Sequence, residues 1–298
     1  MEILQTNCSK LESLYVKIVN EDPYDWEYGR ITVIFRFSGI RRLALEVFEV
    51  AEFDEKCTEM FASLLRACPN LETLELGLSV DTIHHCWSFS KICAQIEDTT
   101  FDSLRSLRLY GALVSTLAGD QDGPIRSFFA RHPHIQKLSL LTNQPNDLTH
   151  NLSDVSGAFK SLLYFEGPAF ICKAIAQSQA ATRLEYLRLT NVSDEDEEGY
   201  DGGDVAWSDF HLLQRLPALR RLVLEFAEDG LDDDNQILRS IFNEKSASLE
   251  DFEIKSGYTP VNSVRAIDIS YRSTLTQNTP GRLNQRATIP TKSPSFGN

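Results

Sequence analysis

The chain has 298 residues, of which 42% are hydrophobic, and a formal net charge of −14 at pH 7. This apolar content excludes a wholly disordered chain, and the negative charge disfavours nonspecific binding to nucleic acids. No apolar run in the sequence approaches the roughly 18 residues that a membrane-spanning helix requires.

A short apolar pattern, Leu-x-x-Leu-x-Leu, recurs along most of the chain. Residues 68–76, CPNLETLEL, are its clearest copy, and a degenerate copy at Leu162 and Phe165 has Gly167 in place of the third leucine. The copies follow one another at intervals of about 30 residues, near the upper end of the leucine-rich-repeat range. Their first apolar positions are Leu11, Ile40, Leu71, Leu104, Ile135, Leu162, Leu184, Leu219 and Leu249.

The spacing inside each copy predicts a short β-strand, because its last two apolar residues alternate and therefore point to one face. A connection of about 25 residues to the next parallel strand leaves room for a crossover helix. A single unit has too little apolar surface to fold alone, so the units must stack. We therefore predict an α/β solenoid of about nine irregular repeats, a horseshoe with a parallel sheet on its concave side and helices on its convex side.

Several connecting segments have helical periodicity. Residues 54–67 are predicted to form a helix with Asp54 as its N-cap, and 88–96 and 124–131 are predicted crossover segments, the latter with Pro124 in its first turn. Helical periodicity returns at 205–216. The residues from 270 onward are rich in Ser, Thr, Pro, Asn and Gly, so we predict a repeat domain over 1–269 and a disordered tail over 270–298.

Four strand segments resemble the irregular repeats of F-box/leucine-rich-repeat proteins from fungi and plants: CPNLETLEL (68–76), FDSLRSLRL (101–109), TRLEYLRL (182–189) and LPALRRLVL (216–224). The resemblance covers residues 8 to about 255. It implies a protein-binding module that recognises the substrate of an SCF ubiquitin ligase, with an F-box that recruits the adaptor SKP1. We see no F-box, and the repeats begin almost at Met1 without a capping unit. Either the chain is a fragment, which we favour, or its first strand is unusually exposed, and we expect SKP1 to bind only if an F-box lies upstream.

A second interpretation is a stand-alone scaffold without a ubiquitin role, similar to the leucine-rich GTPase-activating proteins, whose repeats are more regular than these. An enzyme is disfavoured because no G-x-S-x-G, P-loop, H-E-x-x-H or G-x-G-x-x-G motif occurs. We expect no catalytic residue and no cofactor. Without a signal peptide or membrane span, we expect a cytoplasmic or nuclear protein with reduced cysteines.

The residues between the strand leucines are predicted to face away from the core and to form the binding surface. Tyr and Arg are enriched at protein-binding hot spots. We predict that this surface binds a protein partner through an acidic or phosphorylated peptide. The alternative is that neighbouring Arg and Glu side chains only pair across strands. The predicted partner-binding residues are Arg108, Tyr110, Lys137, Tyr164, Tyr186, Arg188 and Arg221.

Two candidate metal sites are rejected from the sequence. The acidic stretch 194–204 imitates the first half of an EF-hand, but its twelfth position is Val205, where a bidentate Glu is required. His84, His85, Cys86 and Cys93 fit no usual zinc spacing. We interpret the acidic stretch as a solvated insertion, with docking to a basic partner as the alternative, and we interpret His132 and His134 as structural.

Overall fold

The computed structural model describes ten segments of the chain: 11–19, 34–48, 55–78, 88–111, 123–141, 159–168, 171–192, 213–226, 248–256 and 268–272. Several predicted features lie outside these residues. They are the N-cap Asp54, the acidic stretch 194–204, most of the helix at 205–216, the tail after 272, and the group His84, His85 and Cys86.

The described strands form one open sheet in which they follow one another in chain order. The first nine strands are parallel to their neighbours, and the tenth is antiparallel to the ninth. The protein is therefore an α/β protein built on nine parallel strands. The strands are β1 (Ser13–Val19), β2 (Arg42–Phe48), β3 (Thr73–Leu78), β4 (Ser106–Gly111), β5 (Lys137–Leu141), β6 (Tyr164–Pro168), β7 (Tyr186–Val192), β8 (Arg221–Phe226), β9 (Asp251–Ser256) and β10 (Asp268–Arg272).

The recurring leucines set the register of this sheet. Equivalent residues pair directly on neighbouring strands, as Leu74 does with Leu43 and with Leu107. These three side chains are at most 1% exposed. Because side chains alternate between the two faces of a strand, a shift by one residue would turn every leucine outward, so burial of one face locks the register. The nine copies of the apolar pattern correspond to the nine parallel strands.

The described α-helices pack on the leucine face of the sheet and contribute to the same hydrophobic core. Their bounds are α1 (Glu55–Arg66), α2 (Phe89–Gln95), α3 (Pro124–Arg131) and α4 (Ile171–Gln177). The predictions for 54–67, 88–96 and 124–131 are thereby confirmed. Ser88 caps α2 by accepting a hydrogen bond from the Lys91 N–H at 3.1 Å, and Pro124 occupies the first turn of α3.

Successive helices contact each other across the segments that connect the strands. The Phe89 and Phe128 rings meet edge to face, with centroids 5.4 Å apart, between α2 and α3. The guanidinium groups of Arg66 on α1 and Arg131 on α3 donate to the Gln95 and Ile96 carbonyls, which lie at the end of α2. Arg66 thereby supplies a donor to a carbonyl of the last helical turn. The Ile96 carbonyl also accepts from the Thr99 N–H at 3.0 Å, so Arg131 is its second donor.

A turn of the same form precedes most of the strands. The N–H of the first leucine of a copy donates to the carbonyl three residues earlier, as Leu71 donates to Cys68 at 3.1 Å and Leu104 to Phe101 at 3.0 Å. One carbonyl then accepts two N–H groups from the next copy, as Glu72 does from Arg105 and Ser106 at 2.9 and 3.1 Å. The backbone is therefore repetitive at the turns as well as in the strands.

The degenerate copy is compensated by a larger neighbour. An ideal Cβ on Gly167 would lie 2.8 Å from Cζ of Phe165 and 3.0 Å from the Leu140 carbonyl oxygen. Phe165 stands at the second leucine position and is fully buried. Its ring leaves no space for a third apolar side chain, which explains why the copy has glycine there.

The end of the sheet crosses the predicted domain boundary, because β10 extends through residues 269 and 270 and adds an antiparallel strand to the repeat domain. Four cysteines of the described segments, Cys57, Cys68, Cys93 and Cys172, are buried and form no disulfide bond. Among the described helices, none has the length and apolar character needed to cross a bilayer.

Candidate functional site

The face of the sheet opposite the leucines, here called the open face, carries all seven predicted site residues. They come from consecutive strands: Arg108 and Tyr110 from β4, Lys137 from β5, Tyr164 from β6, Tyr186 and Arg188 from β7, and Arg221 from β8. Lys137, Tyr164, Tyr186 and Arg221 pair directly, each with the next, in one row across the strands.

The centre of that row is an aromatic pair, here called the tyrosine stack. The rings of Tyr164 and Tyr186 are stacked, with their centroids 4.1 Å apart and their planes inclined by 9°. The Arg221 guanidinium carbon lies 5.5 Å from the centroid of the Tyr186 ring, within the range of a cation–π contact. Both rings are partly buried. The side chains of three neighbouring strands therefore form one continuous row of contacts.

A buried carboxylate lies next to the tyrosine stack. Glu166 is 4% exposed and accepts hydrogen bonds from Ser139 Oγ at 2.8 Å and from Tyr164 Oη at 3.2 Å. Arg188 Nη1 donates to its other oxygen at 2.6 Å. Burial, followed by the negative charge of Glu166, raises the pKa of the Tyr164 hydroxyl above its ordinary value. Glu166 thus links strands β5, β6 and β7 through its side chain.

Arg188 holds a second carboxylate in addition to Glu166. Its Nη2 and Nε both donate to Glu225 Oε2, at 2.7 and 3.2 Å. Partial burial acts to lower the pKa of Arg188, but the hydrogen bonds and charges of Glu225 and Glu166 hold that pKa above its usual value. The donors of Arg188 are therefore already engaged with two carboxylates of the same chain.

Arg221 is paired in the same manner on the neighbouring strands. It forms ion pairs with Asp251 at 3.3 Å and with Glu253 at 3.1 Å, and Lys255 also lies 3.2 Å from Glu253. These interactions lower the pKa of the Glu253 carboxyl despite the opposing effect of desolvation. Between β6 and β9, three cations of this face meet four carboxylates. The pairing across strands that the sequence offered as an alternative is present here.

The β4 residues of the site form a separate group. The Arg108 guanidinium carbon lies 5.1 Å from the centroid of the Tyr110 ring, and Tyr110 Oη donates to Glu75 Oε2 at 3.1 Å. The Tyr110 ring covers Gly77 on β3, where an ideal Cβ would lie 2.2 Å from it. Burial, followed by the negative charge of Glu75, raises the pKa of Tyr110 above its ordinary value.

Lys137 lies between the two groups, because its direct neighbours across the sheet are Ser106 on β4 and Tyr164 on β6. It is exposed. Among the described residues we find neither a hydrogen bond nor an ion pair to Lys137 or to the guanidinium of Arg108. The site thus contains two arginines with carboxylate partners and two cations without them.

The sequence offered pairing of Arg and Glu across strands as an alternative but did not identify which carboxylates neutralise the arginines. Glu166 and Glu253 occupy the strand position equivalent to Arg188 on nearby strands. This equivalence was the only feature of the sequence that could have indicated the pairing. Glu225 stands one row further along the strand, 37 residues after Arg188, and became relevant only once the side chains were placed. As a consequence, the positive charge of the predicted patch is largely cancelled on β7 and β8.

The described residues include no group of three or more His, Cys, Asp or Glu side chains arranged to hold a metal ion. His132 and His134 are structural, as predicted. The Phe101 N–H donates to Nε2 of His132 at 3.0 Å, and Nδ1 of His132 lies 2.6 Å from the Phe128 carbonyl. Nε2 of His134 lies 2.8 Å from the Phe101 carbonyl. The two histidines therefore join one turn to the preceding one.

Comparison with known proteins does not assign a family. No protein-family model matches the chain, and no curated protein matches its sequence at a significant level.

Proposed function

We propose that this chain is a protein-binding module, a leucine-rich-repeat solenoid whose open face is the concave, partner-binding side. Support comes from the one-to-one correspondence between the nine Leu-x-x-Leu-x-Leu copies and nine parallel strands in chain order. Support also comes from the repeated turns that precede the strands. Such a sheet offers rows of side chains at regular spacings, on which an extended segment or a protein surface can dock.

The tyrosine stack is the observation that carries this proposal. Tyr164 and Tyr186 present large rings that already contact each other and, through Tyr164, the buried Glu166. A partner would therefore lose little side-chain entropy in ordering them, and rigid aromatic groups of this kind dominate binding energies at interfaces. No comparable pair of stacked tyrosines occurs elsewhere on the described part of the open face.

The ubiquitin-ligase role is the narrower part of the proposal. It is supported by the resemblance of the four strand segments to F-box/leucine-rich-repeat proteins, in which the repeats hold the target. The alternative is a stand-alone scaffold with the same binding face and no ligase. Quantitative mass spectrometry of complexes captured on the full-length natural protein separates the two, because only the first should contain SKP1 and a cullin.

The binding face itself is tested by removing the stack. In the Tyr164→Ala/Tyr186→Ala variant, we expect captured partners to fall at least about tenfold, because each aromatic hot spot contributes roughly 2 kcal/mol or more. Tyr15→Ala is the matched control, since Tyr15 is 61% exposed and lies on the open face of β1, five strands from Tyr164. Partners that bind wild type and both variants equally would contradict the proposal.

A further inference from the structure

The four cations of the site differ in what they already bind. Arg188 is held by Glu166 and Glu225, and Arg221 by Asp251 and Glu253. An incoming acidic group would have to displace these carboxylates, which are covalently part of the same sheet. Within the described segments, Arg108 and Lys137 have no carboxylate partner. The open face is therefore polarised, with free positive charge on β4 and β5 and excess negative charge from β6 to β9.

The two free cations are close enough to act on one group. Lys137 is the direct neighbour of Ser106, and Arg108 is that of Ser139, so Lys137 and Arg108 are diagonal neighbours on adjacent strands. Such neighbours have Cα atoms about 7–8 Å apart, within reach of long side chains. An anion between them would contact both. Because Lys137 is also the direct neighbour of Tyr164, this anion would lie beside the tyrosine stack.

Arg108 also has an unsatisfied donor. Its Nε is buried and has no hydrogen-bond partner among the described residues, while its guanidinium carbon lies 5.1 Å from the centroid of the Tyr110 ring. A buried donor without an acceptor costs free energy, and the Arg108 side chain is not held by a carboxylate in the described part of its own sheet. The contact with Tyr110 holds the guanidinium in place before any ligand binds.

We infer that Arg108 and Lys137 form the subsite for a glutamate or aspartate side chain of an extended acidic peptide whose neighbouring residues cover the tyrosine stack. This inference rests on the proposed binding function of the open face. It moves the acid-binding position from β7 and β8, where Arg188 and Arg221 are already neutralised, to β4 and β5. A carboxylate suits the subsite better than a phosphate dianion, because Glu75 is the direct neighbour of Arg108 and repels a second negative charge.

The test starts from a display library of random linear peptides selected on the full chain. Peptides that bind wild type but not Tyr164→Ala/Tyr186→Ala are retained, so each of them uses the open face. We expect the retained peptides to be enriched in Glu or Asp at one position. Replacing that residue by Gln in a synthetic peptide should weaken binding to wild type on the order of tenfold, as expected for the loss of a charge-assisted contact.

Variants of the protein show which side chains cause the preference for an acidic residue over Gln. Arg108→Gln/Lys137→Gln should bind the acidic peptide and its Gln version with equal affinity, whereas Arg42→Gln should discriminate between them as wild type does. Arg42 is an exposed cation of the open face, two strands from Arg108. Thermal unfolding of Arg108→Gln/Lys137→Gln should match that of wild type, because Lys137 is exposed and Arg108 makes no ion pair among the described residues.

The outcomes distinguish a failure of the proposed function from a failure of the acid subsite alone. A selection in which no peptide depends on the tyrosine stack overturns the proposed function, and this inference with it. Retained peptides that bind wild type equally with Glu or with Gln overturn the acid subsite alone. Tighter binding of a phosphoserine peptide than of the glutamate peptide overturns its assignment to a carboxylate.

Discussion

Arg188 and Glu166 are direct neighbours on β7 and β6 and form an ion pair of 2.6 Å, in which the carboxylate side chain is only 6% exposed. The sequence predicted Arg188 as a partner-binding residue, with pairing to a neighbouring Glu across strands as the alternative. In the structure its donors hold two carboxylates of the same sheet. Arg188 therefore neutralises Glu166 beside the tyrosine stack and also holds Glu225.

Loss of Arg188 should destabilise the fold more than loss of Arg221. Arg188→Gln leaves Glu166 buried without its cation, and removing one partner of a buried pair costs several kcal/mol, so we expect about 2–3 kcal/mol. Arg221 is a more exposed side chain, at 46%, and surface ion pairs contribute less, so Arg221→Gln should cost under about 1 kcal/mol. Urea denaturation of each variant measures the free energy of unfolding.

A double variant separates the missing charge from the missing contacts. Arg188→Gln combined with Glu166→Gln removes both charges, so its free energy of unfolding should lie above that of Arg188→Gln alone. If the second substitution lowers stability further, burial of an unpaired carboxylate is not the cause of the loss.

His132 should make stability depend on pH. Burial lowers the pKa of His132 from 6.5 to about 4, with smaller lowering effects from His134 and Arg131 and opposing effects from the Phe128 carbonyl and Asp102. The unfolded chain therefore takes up a proton near pH 6.5, while the folded chain stays neutral until about pH 4. The contribution of neutral His132 to the free energy of unfolding is fully present above pH 6.5. About 3 kcal/mol of it is lost as the pH falls to about 4.

The variant His132→Phe tests this dependence. Phe101 and Phe159 occupy the equivalent turn position, so a phenyl ring fits there, although the Phe101 N–H loses its acceptor. We expect lower stability at pH 7 by roughly 1–2 kcal/mol and a flatter dependence between pH 6.5 and 4. Denaturation at a series of pH values compares the two slopes, and equal slopes would exclude His132 as the source.

Gly167 and Phe165 should be energetically coupled. Gly167→Ala places a methyl group against the Phe165 ring and the Leu140 carbonyl, an overpacking that we expect to cost about 1–3 kcal/mol. In the background Phe165→Leu the ring is gone, so the same substitution should cost less. A double-mutant cycle by denaturation measures this difference. Identical costs in both backgrounds would show that Leu140 alone sets the limit.

Tyr110 and Tyr164 should titrate later than ordinary tyrosines. Burial, with the charges of Glu75 and Glu166 respectively, raises the pKa of both hydroxyl groups above 10. Ultraviolet absorbance of tyrosinate in the folded protein should show a late-titrating fraction that becomes smaller in Tyr110→Phe and again in Tyr164→Phe. A titration in which every variant retains the same late fraction would contradict the assignment.

The strands and three helices could be predicted from the sequence because their signals are local and repeated. The leucine spacing identified the nine parallel strands, and the buried faces of Cys57, Phe61, Leu64 and Leu65 follow the helical period. Even the departure at Gly167 was visible in the pattern. Its cause was not, since it depends on how far the Phe165 ring extends over the neighbouring strand.

The rows of the open face could also be predicted, because a parallel sheet in register places equivalent residues side by side. The stacking of Tyr164 on Tyr186 follows from their equivalent positions. The state of the charged groups could not be predicted in the same way. Each arginine has several carboxylates within reach along and across the strands, and side-chain burial decides which pairs form.

The amino-acid sequence by itself determined the period, the register and the residue types on each face of the sheet, because one buried leucine face admits only one alignment of the strands. Only the tertiary structure decided which cations are free. Arg188 is paired with residues 22 positions before it and 37 positions after it, and Arg108 and Lys137 are left without carboxylate partners among the described residues. The physical reason is that ion pairing depends on distances and burial between strands, and local sequence does not encode either.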